Sequence, residues 1–86
     1  MKQTVLEKKH PTTAKLFFTL RKELELTQAE LAKNLGFQSK VFISKVESGI
    51  YLPSEKYIKY MVSKFPKKKT RIQNVFLKEK MKKYVE

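Results

Sequence analysis

Apolar residues recur along this chain at helical spacing in five separate stretches, each bounded by a residue that starts or stops a helix. In the first, Leu16, Phe17, Leu20 and Leu24 form one stripe, which predicts a helix capped by Thr12 or Thr13 and running to about Glu25, with Phe18 facing away. In the second, Leu31, Ala32 and Leu35 share a narrow face behind Thr27 and Glu30. Those two residues have capping-box spacing, in which each satisfies an orphan N–H at the helix start. Gly36 follows the last periodic residue, where glycine takes a left-handed backbone without a Cβ penalty. Ser39 then reads as the N-cap of a third helix to about Ser48, with Gly49 closing it and Pro53 preventing its continuation.

The third stretch has two chemically distinct sides. Phe42, Ile43, Val46 and Glu47 cluster on one, and Lys40, Val41, Ser44, Lys45 and Ser48 on the other. The second side can donate hydrogen bonds and offer a methyl surface, which suits the major groove of B-DNA, where guanine presents acceptors and thymine a methyl group. A fourth helix is expected over Ser54 to Phe65, with Ile58, Met61, Val62 and Phe65 inward and Lys56, Lys59 and Tyr60 outward. Tyr51, in the connection before it, either packs or offers its hydroxyl to a phosphate, and packing is the favoured use.

A fifth helix is predicted from Arg71 to about Tyr84. Its apolar residues are divided: Ile72, Val75 and Phe76 lie on one side, with Leu77, Met81, Tyr84 and Val85 nearly opposite. A monomer cannot easily bury both sides, so the second set is expected to meet another copy of the chain in a twofold homodimer. The expected organisation is therefore an arm over 1–11, a DNA-binding domain over 12–65, and a basic linker with a C-terminal dimerisation helix over 66–86.

Thr27 to Gly49 resembles the phage-repressor and Cro-like (Xre-type) helix-turn-helix family. The family pattern runs leucine-arginine, TQ-x-ELA-x-x-LG, I-S-K-I-E-x-G and proline. It is matched here by Leu20-Arg21, Thr27-Gln28, Glu30-Leu31-Ala32, Leu35-Gly36, Ile43-Ser44-Lys45-Val46-Glu47, Gly49 and Pro53. The resemblance implies an all-α, compact four- to five-helix repressor-like domain with its helix-turn-helix at about 27–48 and a C-terminal helix. It also implies that Lys40, Val41, Ser44 and Lys45 read bases, that Gln28, Ser39 and Ser48 lie at phosphates, and that Arg21 pairs with Glu47 as a structural ion pair. Gln28 has an independent reason for its role, because a helix N-terminus favours an anion. Two positions depart from the pattern. Gly36 to Ile43 holds one residue more than the shortest family turn, and Glu25 stands where many relatives have glycine or asparagine, so the Leu24 to Leu26 connection is expected to differ.

The 86 residues carry a formal charge of +12 with 41% hydrophobic content, which fits one small domain with a polyanionic partner. Lys68, within three adjacent lysines, is a candidate for sequence-independent phosphate attraction. The chain contains neither cysteine nor aspartate, and its single histidine, His10, reads as a solvated side chain before Pro11, so no catalysis, metal or cofactor is expected. No apolar run approaches the roughly 20 residues that span a bilayer. The expected protein is a cytoplasmic, nucleoid-associated regulator of double-stranded DNA, with an antitoxin-like protein that binds a partner protein and autoregulates its operon as the second reading and an RNA-binding structural protein as a more distant one.

Overall fold

The computed structural model describes residues 10–74, all of whose regular elements are helical. They comprise α1 (Pro11–Glu23), α2 (Gln28–Asn34), α3 (Val41–Glu47) and α4 (Glu55–Lys64). A single 3-10 turn, Pro66–Lys68, then leads into helical residues 69–74, termed α5.

The first helix starts earlier than either threonine. Pro11 occupies its first turn and His10 is the N-cap, without a side-chain capping bond. Proline explains the shift, since its fixed φ suits a first turn and its missing N–H needs no partner there. Thr13 is fully buried, with no hydrogen-bond partner for its hydroxyl among the described residues. His10 is half-buried, correcting the solvated expectation, and its backbone N–H donates to the Gly49 carbonyl at 3.0 Å. The start of α1 is thereby joined to the end of α3.

The helix ends of α1, α2 and α3 share one geometry. Gly36 and Gly49 have φ of 80° and 81°, and Glu25 reaches 59° despite its Cβ. At each end two backbone N–H groups turn back onto the last helical carbonyls. Gly36 bonds Lys33 and Phe37 bonds Ala32; Gly49 bonds Val46 and Ile50 bonds Lys45; Glu25 bonds Lys22 and Leu26 bonds Arg21. This pairing satisfies carbonyls a helix would otherwise leave orphaned. The Leu24 to Leu26 connection, expected to differ, therefore has the same left-handed turn as the other two, with glutamate in place of glycine.

Helix α3 begins one residue later than Ser39 would set it, because Lys40 stands at the N-cap. The Ser39 hydroxyl still serves the first turn, accepting from the Val41 N–H at 3.3 Å. The extra residue in the turn is absorbed in the bend over 38–40.

Between the helices lies one core. Phe17 and Leu20 of α1, Leu31 of α2, Ile43 of α3, Met61 of α4 and Ile72 of α5 are all fully buried. Burial of each such side chain contributes on the order of 1.5–3 kcal/mol. Tyr57, which the periodic stripe of α4 omitted, is also fully buried and meets Phe17 edge to face at 5.0 Å. Val62 and Phe65, expected inward, are only half-buried against the core. Burial pushes the Tyr57 phenol well above its ordinary pKa, and the negative charge of Glu47 adds to the shift.

A non-glycine residue in the left-handed region carries a steric cost of about 1–2 kcal/mol, partly offset in glycine by its greater freedom when unfolded. Glu25→Gly is expected to raise stability by about 0.5–1 kcal/mol, read as a higher urea midpoint at constant m-value; an unchanged or lower midpoint would show that Glu25 carries no strain.

Candidate nucleic-acid interface

The surface of interest is built from the inside outward. Thr27 and Glu30 form the complete capping box: the Glu30 N–H donates to Thr27 Oγ1 at 3.0 Å, and the Thr27 N–H donates to Glu30 Oε1 at 2.9 Å. That fixes where α2 begins and places Gln28 in its first turn.

The Gln28 side chain does not simply face outward. Its Nε2 donates to Glu47 Oε1 at 3.0 Å, joining the last turn of α3. Glu47 in turn receives Arg21 in bidentate fashion, from Nε to Oε2 at 2.6 Å and from Nη2 to Oε1 at 2.9 Å. Arg21 Nη1 completes the group by donating to the Leu26 carbonyl at 2.8 Å. The two charged side chains are only 9% and 5% exposed, so this is a buried pair, outside the weak surface class. The hydrogen bond to Glu47 raises the Arg21 pKa further above its ordinary value, so the guanidinium stays charged despite its burial.

With its inner side pinned by Ile43, Val46 and Glu47, α3 turns the opposite side to solvent. Lys40 and Ser48 are exposed, Val41 is 57% exposed, and Ser44 and Lys45 are half-exposed. All four residues expected to read bases thus lie on α3 or at its N-cap, with Ser39 just before them and Ser48 just after. Phe42 braces this helix laterally, with its ring 5.6 Å from Phe37 and 5.9 Å from Tyr51. Tyr51 packs one way and remains 48% exposed the other.

Lys68 is placed elsewhere. Its ammonium donates to both carboxylate oxygens of Glu23, at 3.3 and 3.4 Å, and lies 5.3 Å from the centre of the Phe65 ring. It is held at the C-terminal end of α1. Leu77, Met81, Tyr84 and Val85, the expected dimer residues, lie outside the described residues. Among the described residues no group of three potential metal-ligating side chains occurs, and no helix is long and apolar enough to cross a membrane.

Two features escaped the periodic pattern. The bond from Gln28 to Glu47 joins residues 19 positions apart and has no local signature. Phe18, which faces away from the stripe of α1, is stacked under cations: the Arg21 guanidinium lies 5.4 Å from its ring centre and the Lys22 ammonium 6.0 Å.

Two short helices crossing at a left-handed turn, the second with its inner side locked and its polar side free, define a helix-turn-helix domain. A helix-turn-helix family model matches residues 19–68, more than half of the chain. The chain belongs to the Xre/Cro-like helix-turn-helix family, and is a DNA-binding helix-turn-helix regulator. No curated protein and no solved structure matches it.

Removing one partner of a buried pair leaves an uncompensated charge at a cost of about 3–5 kcal/mol, whereas replacing both by apolar groups is far less costly. Glu47→Ala is expected to lower stability by about 3 kcal/mol, and Arg21→Met with Glu47→Leu to lose less than the single change. Chemical denaturation of the variants measures this, and strictly additive losses would show the pair to be uncoupled.

Proposed function

We propose that this chain reads duplex DNA in a sequence-specific manner as a small transcriptional regulator, most simply a repressor that occludes a promoter by occupying its operator. The observation that carries the reading is the two-sidedness of α3: Arg21, Gln28 and Glu47 lock its inner side, leaving Lys40, Val41, Ser44 and Lys45 available to a groove. Lysines there suit guanine O6 and N7, Val41 suits a thymine methyl, and Ser44 can bond to either kind of base edge. Gln28, Ser39 and Ser48 are assigned to phosphates that set register. Gln28 retains a second amide hydrogen for this purpose while bonding Glu47. Lys68 would add sequence-independent attraction once released from Glu23, an exposed pair of the kind that contributes little to stability.

A twofold dimer through Leu77, Met81, Tyr84 and Val85 would set two α3 helices about one DNA turn, roughly 34 Å, apart and call for a palindromic operator. This part of the proposal rests on the divided apolar pattern of the C-terminal sequence. Sedimentation at micromolar concentration, with and without DNA, is expected to show the dimer; a monomer under both conditions would remove it.

Selection from a random duplex library is expected to enrich one motif for the unaltered chain. Lys40→Ala and Lys45→Ala are expected to relax preference at particular bases at a cost of roughly 1–3 kcal/mol each. If no sequence is enriched, the base-reading proposal fails.

A further inference from the structure

The positive charge of this chain is not concentrated on its reading helix. Residues 27–50 contain three basic and two acidic side chains, whereas residues 55–71 contain seven basic and one acidic. On α4, Lys56, Lys59, Tyr60 and Lys64 are spaced as one helix face, and the three lysines are exposed. Among the described residues Lys59 pairs with Glu55, at 3.8 Å and in full view of solvent, so its charge is weakly engaged there.

This face is bonded to the helix-turn-helix unit at one point and lies close to it at another. The Tyr60 hydroxyl accepts from Asn34 Nδ2, at the last residue of α2, at 3.2 Å, and the Lys64 ammonium lies 5.4 Å from the Tyr60 ring centre. The Lys56 ammonium lies 3.1 Å from where a β-carbon on Gly36 would stand. Both contacts are at the C-terminal end of α2, and Gln28 is at the N-terminal end. Seven residues rising about 1.5 Å each separate those ends by about 10 Å, close to the roughly 12 Å width of the major groove. With α2 lying across that groove, a duplex seated on α3 with one backbone toward Gln28 would bring its other backbone toward the row on α4.

We propose that Lys56, Lys59 and Lys64 form a further sequence-independent DNA contact of this chain, holding the phosphate strand across the major groove from Gln28 on the same duplex. The proposal rests on α3 being the reading helix. It divides the work: α3 supplies base preference, and α4 supplies salt-sensitive attraction.

The test compares the full chain with the triple variant Lys56→Gln, Lys59→Gln and Lys64→Gln. Both are titrated onto the selected duplex and onto a random duplex between 50 and 200 mM salt. Each phosphate contact contributes about 0.9 to the slope of log affinity against log salt, so the slope is expected to fall by about 2.7 on both duplexes. The enriched motif and the circular dichroism spectrum are expected to stay as they are. An unchanged slope overturns the proposal. A slope reduced on the random duplex alone also overturns it, because the row would then serve a second duplex. Failure of the unaltered chain to enrich any motif would sink the underlying reading of α3, an outcome distinct from either.

Discussion

The bidentate pair of Arg21 with Glu47 is the constraint on which the arrangement of α1 and α3 turns. A buried guanidinium and carboxylate recover their lost hydration only when geometry is good and the remaining hydrogen-bonding capacity is used. Here the Leu26 carbonyl takes one further guanidinium donor, and Gln28 supplies one further donor to the carboxylate. The pair thus ties together the last turn of α1, the turn after it, the start of α2 and the end of α3. Three consecutive segments and one 19 or more residues further on share one electrostatic node. An apolar contact in the same place would permit sliding, whereas a planar fork against a planar carboxylate admits little rotation.

Much of this was readable before the fold, for reasons that differ from residue to residue. The Thr27 to Glu30 box and the Gly36 and Gly49 turns are local, so spacing alone discloses them. The two sides of α3 follow from its period. The Arg21 to Glu47 pairing lies 26 residues apart and came only through the resemblance. What stayed hidden depended on tertiary context. Tyr57 sits next to Ile58 in a stripe that polarity assigns elsewhere, yet its ring fills space beside Phe17, with its phenol held in its neutral form. Glu25 gives no sign of a left-handed backbone, because glutamate has no preference for one. The start of α1 moved to Pro11 because the threonines, though good caps, compete with a proline already shaped for a first turn.

The placement of charge is also instructive. A formal +12 invites the inference that the helix proposed to read bases is strongly basic, but α3 carries just one lysine within its helical span, with a second at its cap. Long-range attraction depends on total charge and its proximity to the polyanion, while discrimination depends on a few side chains held in register. On the proposed reading, separating the two would let the face of α3 carry a valine and a serine where a row of lysines would bind any phosphate.

The shortness of α2 and α3 has a consequence of its own. Each is seven residues long, well under the roughly 12–15 residues at which an isolated helix becomes even marginal in water. Neither exists without the other elements to hold it, so the chain has no partly folded form that retains its reading face. DNA binding and integrity of the fold are then linked by mass action: bound DNA protects the chain from opening, and a protease that captures the opened chain also removes it from DNA. The fraction of chain bound to DNA thereby sets how much of it stands open to degradation.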